Sequence, residues 1–372
     1  MISNSHCLPP QTIHPNTSNR IAALRFILAS MVVLNHFDLE SQCVSCYMAD
    51  IANGHDLLSW GFRALLGLFG AAVPLFFLFS GYLLARKASP PHILLKKRAR
   101  SLLLPFVLWL SICMVFFILV KPLCFKVLPW LIANPNASVL TYGPDDWVHG
   151  VLGRLAPTGF LSAPGFAYHL WFLRDLMVLV LVSPALVFCV RRFPSGFLCL
   201  LFLLYLPPLP VWIVDTQSLF FFSLGLYWGV RDYPLFDRLD GTSALQWVFL
   251  FALALFLAES LFRGHGAIHW FMVLFSCVLF LKSSSSLVKG RRFLVLKRLG
   301  GFSFFLYMVH APILNVTIQK VWEKTCPAQN AWEAFLEWFG TGTLTIALGT
   351  AIGLVLKRIF PAVFSLLNGG RN

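Results

Sequence analysis

Charged residues are scarce in this sequence. They make up 12% of its 372 residues, and Asp and Glu together number only 15, whereas about a quarter of the residues in a soluble globular domain are charged. Hydrophobic residues make up 58% of the chain, and 37 residues are phenylalanine. The composition therefore excludes an ordinary soluble domain and indicates a protein that crosses a lipid bilayer several times.

The sequence also lacks the clusters that would indicate other classes of partner. Its 29 Lys and Arg residues give a net charge of +14, but they occur in short groups between apolar runs, a pattern that sets membrane topology. We therefore predict no nucleic-acid partner. Cysteines and histidines do not occur at the spacing of a zinc site, and we predict no metal. Cys43 and Cys46 lie in an expected outside loop, and the sequence does not decide between a disulfide and two free thiols there.

Apolar runs predict an all-α integral membrane protein, a single bundle of about ten transmembrane helices. With the N-terminus inside, most basic residues fall on the cytoplasmic side, so both termini are predicted to be cytoplasmic. The first twenty residues lack the apolar core of a signal peptide. We expect a polar cytoplasmic tail at 1–20, a transmembrane domain at 21–358 and a short tail at 359–372. The predicted spans are 21–39, 61–85, 101–120, 168–190, 196–214, 216–230, 244–262, 266–281, 300–320 and 335–356.

Two polar residues stand out in the first span, RFILASMVVLNHF. Arg25 and His36 are eleven positions apart, which in a helix places them about 20° apart around the axis and about 16 Å apart along it. An arginine near a helix end commonly extends to the headgroups, and a buried histidine commonly bonds a neighbouring helix. Ionisable groups inside a membrane are costly, however, and two of them on one face favour a functional role.

A cation and an imidazole at this separation suit coenzyme A. Its phosphates need cationic partners, and its extended pantetheine arm has a similar reach. The imidazole of His36 would then meet the thioester or the incoming nucleophile, and an imidazole is a good general base for a hydroxyl.

Five stretches of the chain, in order, carry a family resemblance. Arg25 and His36 match an R-x10-H signature, and the others are VPLFFLFSGYLLA (73–85), KKRARSLLLPF (96–106), YHLWFLRDL (168–176) and LGGFSFFLYMVHAPIL (299–314). Together they resemble the acyltransferase-3 family of integral-membrane acyltransferases. The family often has an R-x-x-R pair before its Leu-Leu-x-Pro. Here Arg98 fits the first arginine, Ser101 falls on the second, and Arg100 lies one residue early.

The resemblance implies an O-acyltransferase of the inner membrane. It would move an acyl group, most commonly acetyl, from acyl-CoA in the cytoplasm to a hydroxyl of a cell-surface polysaccharide or its lipid-linked precursor, such as an exopolysaccharide or lipopolysaccharide. It implies that His36 is catalytic and that Arg25 binds the cofactor. We keep Arg98 and Arg100 as further candidates for the phosphates, although topogenic charge is an equally ordinary role for both.

Four further residues are candidates for binding or supporting the substrate. His169 and Trp171 begin the predicted fourth span, where a tryptophan commonly anchors the helix at the membrane interface and where sugars can also stack on an indole ring. Tyr307 and His310 share a face of the predicted ninth span, and interhelical hydrogen bonding is the plainer role for them. Arg174 and Asp175 lie a turn further in, and either they neutralise one another or each has another partner.

Two other functions remain open from the sequence. A transporter or flippase for lipid-linked glycans also carries charges inside the membrane, although paired half-sequences are not seen here. A non-catalytic partner in glycan assembly would tolerate changes at Arg25 and His36. A homo-oligomer is equally open.

Overall fold

A computed structural model describes residues 13–36, 47, 50–51, 54, 56–86, 96–123, 143–153, 165–206, 210–211, 214–261 and 267–371. Within these residues the fold is all-α, apart from two short antiparallel strands, β1 (Pro210–Val211) and β2 (Val214–Asp215). Cys43 and Cys46 lie outside the described residues. The helices are α1 (Pro15–Asn35), α2 (Leu57–Phe69), α3 (Ala72–Arg86), α4 (Leu104–Val115), α5 (Pro144–Leu152), α6 (Trp171–Arg192), α7 (Pro194–Tyr205), α8 (Thr216–Arg231), α9 (Leu235–Asp240), α10 (Ala244–Leu261), α11 (Ala267–Leu287), α12 (Gly290–Gly300), α13 (Ser303–Val309), α14 (Asn315–Thr325), α15 (Ala331–Ile359) and α16 (Pro361–Leu367).

The described helices confirm a multi-pass membrane protein. Six helical stretches, some of which combine neighbouring helices, are long and apolar enough to span a bilayer, and Gly290–Gly300 with Ser303–Thr325 forms a seventh candidate bent by 49°. The predicted count of ten spans and the cytoplasmic placement of both termini stay predictions. The six are Pro15–Asn35, Leu57–Arg86, Lys96–Leu123, Tyr168–Arg192, Trp270–Leu287 and Ala331–Ile359.

Prolines interrupt two of the predicted spans. The predicted span 196–214 is helical only to Tyr205, because prolines follow at 207, 208 and 210 and proline cannot continue the hydrogen bonding of a helix. The predicted span 300–320 is a broken helix. Its break falls at Ala311, whose φ of −130° and ψ of 155° are extended, as expected for a residue that precedes a proline.

Helix α1 lies at the centre of the bundle and packs against α2, α3, α11, α12, α13 and α15. The helix begins at Pro15, and the side chain of His14 caps it by accepting a hydrogen bond from the backbone N–H of Asn16. Near this end Arg20, which is almost fully buried, forms a two-pronged ion pair with Asp240. We call the part of α1 that carries Arg20 and Arg25 its arginine end, and the opposite end its histidine end.

Helices α3 and α8 touch backbone to backbone. A Cβ added at Gly81 would lie 2.1 Å from the carbonyl oxygen of Phe222, and one added at Gly225 would lie 2.0 Å from that of Leu78. Such close approach is typical of small residues at helix interfaces in membranes. This contact fixes α3 and α8 against one another.

Candidate active site

His36 follows the last residue of α1 and caps its histidine end. Its Nδ1 lies 2.7 Å from the carbonyl oxygen of Val32. Because a carbonyl oxygen can only accept, Nδ1 carries the hydrogen, and in the neutral ring Nε2 then carries the lone pair. Nε2 has no hydrogen-bond partner among the described residues. Asn315 donates to the His36 backbone carbonyl at 2.9 Å and holds this turn to α14.

Three histidines from distant parts of the sequence meet at this end. The ring centroids of His36 and His310 are 5.0 Å apart, and those of His169 and His310 are 5.4 Å apart. Tyr168 also packs beside His36, at 5.7 Å. The structure therefore brings together His36, His169 and His310, which the sequence offered as separate candidates. We call these three residues the histidine cluster.

His310 lies at the break between α13 and α14, where Pro312 interrupts the helix. Its Nδ1 donates to the carbonyl oxygen of Tyr307 at 2.6 Å, and its Nε2 is buried without a partner among the described residues. His310 thus has the same tautomer as His36, with an unprotonated Nε2. Neither ring can donate a hydrogen bond from Nε2, so a hydroxyl group entering the cluster would be the donor.

His169 is fully buried in the short 3-10 turn Tyr168–Leu170 that leads into α6. Neither of its ring nitrogens has a hydrogen-bond partner among the described residues. The hydroxyl of Tyr307 donates a hydrogen bond to the His169 backbone carbonyl. Tyr307 therefore joins the α6 turn to α13, which is a positioning role within the cluster.

The neighbours of His169 on α6 do not join the cluster. Trp171 is partly buried, and its ring packs on Phe172 and not on a histidine. Arg174 and Asp175 form an ion pair with a distance of 3.0 Å between Nε and Oδ1. Of the two alternatives that the sequence left open, the structure shows the pairing of Arg174 with Asp175.

A narrow cleft opens beside His36 and is lined by polar and apolar side chains of three helices. Sequence reasoning did not identify its residues from α14 and α15, because single polar residues in apolar runs are common and carry no recognisable spacing. Besides His36 the cleft is lined mainly by Leu34, Asn315, Gln319, Trp338 and Thr341. The cleft borders the His36 ring.

Two of the candidate arginines, Arg25 and Arg98, form no ion pair with the residues that the structure describes. Arg25 is half-buried, Arg98 is half-buried at the start of the π-helical turn Ala99–Leu103, and Arg100 is exposed. Within the described part of the chain no Asp or Glu forms an ion pair with Arg25 or Arg98. By contrast, Arg20 and Arg86 pair with Asp240 and Asp232. Arg25 and Arg98 therefore provide free positive charge suited to a phosphate.

The described residues hold no group of three or more His, Cys, Asp or Glu side chains placed to bind a metal ion. The histidine cluster lies together through ring contacts instead. The backbone of His36 lies about 16 Å along α1 from that of Arg25, from the rise of 1.5 Å per residue.

Comparison with known proteins identifies the family that this chain resembles. A family model described as an acyltransferase domain, acyltransferase-3, matches residues 19–354. The succinoglycan biosynthesis protein ExoH of Rhizobium meliloti (strain 1021) is 30% identical over 373 residues, which cover 96% of this chain and 93% of that protein. No solved structure matches the chain.

Proposed function

Because the chain belongs to the acyltransferase-3 family, we propose that it transfers an acetyl group from acetyl-CoA to a hydroxyl of a cell-surface polysaccharide or its lipid-linked precursor, in the inner membrane. One arrangement carries the proposal: the central helix α1 holds Arg25, which has no ion-pair partner among the described residues, and ends at His36, whose Nε2 has no hydrogen-bond partner among them. The two ends match the two ends of an acyl-CoA molecule.

The donor is assigned to the arginine end. Arg25 and Arg98 offer guanidinium groups that no described carboxylate neutralises, and arginine binds phosphate through paired hydrogen bonds. Arg100 remains a candidate on the exposed rim. With the phosphates there, the pantetheine arm runs along α1 and its thioester reaches the histidine cluster, because the extended arm has a reach similar to the helix segment from Arg25 to His36, which is about 16 Å long.

The acceptor is assigned to the cleft beside His36. Asn315, Gln319 and Thr341 line it with polar side chains, which suits an acceptor that carries hydroxyl groups. The relative ExoH is named for succinoglycan biosynthesis, and a glycan acceptor for this chain is consistent with that name.

The proposed reaction uses His36 as the general base. Nε2 takes the proton of the acceptor hydroxyl as that oxygen attacks the thioester carbonyl carbon. The tetrahedral intermediate then expels the CoA thiolate, and the proton returns from His36 to sulfur, which leaves an ester and free CoA. The bond from Nδ1 to Val32 holds the ring in the required tautomer throughout. A relay through an acyl-histidine on the same Nε2 is the variant of this scheme.

The test is transfer of radiolabel from acetyl-CoA to glycan by membranes that contain the wild type or His36→Ala. The matched control is His14→Ala, which removes a histidine from the other end of the same helix. Label in wild type and control only, at equal protein abundance, supports the proposal. Full transfer by His36→Ala would refute the mechanism. If no membrane transfers label, a transporter or a non-catalytic partner becomes the better explanation.

A further inference from the structure

The segment after the last helix turns back into the bundle. Helix α16 ends at Leu367, and the next residues are Asn368, Gly369, Gly370 and Arg371. Gly369 and Gly370 have φ values of 65° and 73°, in the left-handed region that favours glycine. The two glycines reverse the chain so that Arg371 lies back against the helices. We call Asn368–Arg371 the arginine hook.

The hook is anchored on two elements. Fully buried Asn368 donates to the carbonyl oxygen of Gly301 at 3.0 Å, and Trp109 of α4 donates to that of Leu367 at 3.1 Å. Gly369 fits so closely that an added Cβ would lie 2.6 Å from the carbonyl oxygen of Ser101. These contacts fix the backbone of the hook between α4 and the junction of α12 with α13.

The same anchors bring Arg371 to the other two free arginines. Nη1 of Arg371 lies 3.5 Å from the carbonyl oxygen of Ser101, one helical turn from Arg98. The hook's bond to Gly301 places it beside Gly300, where an added Cβ would lie 3.9 Å from the Cβ of Arg25. The Arg371 guanidinium is held 4.0 Å above the Phe304 ring, and such stacking orients a planar cation.

The charges at this point are all positive. Burial and the neighbouring Arg25 and Arg98 guanidiniums lower the pKa of Arg371 to about 10, so the group is still protonated at neutral pH. Within the described part of the chain, no carboxylate forms an ion pair with any of these three residues. Like charges gathered in a partly buried place repel one another unless an anion lies between them.

We propose that Arg371 completes, with Arg25 and Arg98, a three-arginine site for a phosphate group of the acyl donor. This inference rests on the proposed function. It assigns a binding role to a segment outside the residues matched by the family model, which end at 354. An acyl-CoA donor offers a phosphate monoester and a diphosphate, and either carries the charge that three guanidiniums can bind.

Two substitutions test the residue in the full-length protein. Arg371→Ala removes the cation, and Arg371→Lys keeps the charge without the paired hydrogen bonds. The matched control is Arg358→Ala, which removes an exposed arginine of α15. We expect Arg371→Ala to raise the KM for acetyl-CoA about tenfold or more with little change in kcat, Arg371→Lys to recover part of this loss, and the control to behave as wild type. An unchanged KM would overturn the proposal, and so would a fall in kcat and abundance with KM unchanged, since that pattern indicates a structural role.

A glycine pair tests the position of Arg371 without changing its charge. Gly369→Ala combines a left-handed φ with a collision at Ser101, whereas Gly370→Ala has a similar φ but its Cβ meets no atom within 4 Å. We expect Gly369→Ala to raise the KM for acetyl-CoA clearly more than Gly370→Ala does. An equal rise of the KM in the two variants would contradict the proposal that the position of Arg371 matters for binding.

Repeating the kinetics with the donor that lacks the 3′-phosphate identifies the group that is bound. If the Arg371→Ala effect disappears with acetyl-dephospho-CoA, the site binds the monoester, and if it persists, the site binds the diphosphate. Both outcomes support the site.

Binding separates failure of the site from failure of the proposed function. Thermal unfolding of purified protein is followed with CoA, with inorganic pyrophosphate and with added phosphatidylglycerol. Stabilisation of the wild type by CoA and pyrophosphate that is weakened in Arg371→Ala supports the site, even if the wild type transfers no acetyl group. Stabilisation through Arg371 by phosphatidylglycerol alone would show a lipid site and overturn the assignment to the donor. Stabilisation by CoA that is equal in wild type and Arg371→Ala, or no stabilisation by any of the three, would also overturn it.

Discussion

The rings of His36 and His310 face each other edge to face with their centroids 5.0 Å apart, although 274 positions separate them in the sequence. Each ring donates from Nδ1 to a carbonyl of its own helix, Val32 in one case and Tyr307 in the other. Both therefore present an unprotonated Nε2.

The two histidines are expected to contribute unequally. His36 lines the cleft whereas His310 is fully buried, so His36 takes the proton and His310 supports the resulting imidazolium. We predict that His36→Ala lowers kcat by about 10²–10⁴-fold, the usual contribution of a general base, and that His310→Ala lowers it less. Single-turnover transfer of labelled acetyl groups measures both. A larger loss in His310→Ala than in His36→Ala would exchange their roles.

Tyr307 is predicted to position His169 without taking part in the chemistry. Tyr307→Phe leaves the buried carbonyl of His169 without its donor, a loss of about 1–3 kcal/mol of stability. Thermal unfolding should show this as a lower Tm. Tyr233→Phe, which changes a more exposed tyrosine, is the control and should leave the Tm unchanged. An unaltered Tm in Tyr307→Phe would show that the hydroxyl bond is dispensable.

Arg20 and Arg25 lie on one helix and should respond differently to the same substitution. Arg20 is almost fully buried and paired with Asp240, and breaking a buried pair is strongly destabilising, although a partner that is about one third exposed lessens the cost. We predict that Arg20→Ala lowers the yield of folded protein. Arg25→Ala should keep the yield and raise the KM for acetyl-CoA. Detergent-solubilised yield and initial rates are the two measurements, and a normal yield for Arg20→Ala would contradict the structural role of the pair.

The contact between α3 and α8 is predicted to tolerate no side chain. Gly225→Ala places a methyl group 2.0 Å from a backbone carbonyl, and a backbone cannot move aside as a side chain can, so we expect a cost of at least about 1–3 kcal/mol. Gly196→Ala in α7 meets nothing within 4 Å and should be neutral or stabilising. Thermal unfolding compares them, and equal stability of the two variants would show that α3 and α8 are less closely packed.

Local sequence features were sufficient for the membrane class and for the helix that carries Arg25. Hydropathy over twenty residues and a helical rise of 1.5 Å per residue depend only on neighbours in the chain, so α1 is helical from Pro15 to Asn35. The five motifs also indicated the family that the comparison confirms. The roles assigned to individual site residues stay predictions.

Only the tertiary structure decided which of these residues meet. Hydropathy cannot place Tyr307 beneath His169 or Asn315 beside His36, because each contact joins helices far apart in sequence and depends on close packing of the whole bundle. The arginine hook shows the same limit. Asn-Gly-Gly-Arg reads as a turn with a surface charge, and it becomes part of a cation cluster because Gly301 and Ser101 give it carbonyl groups to contact.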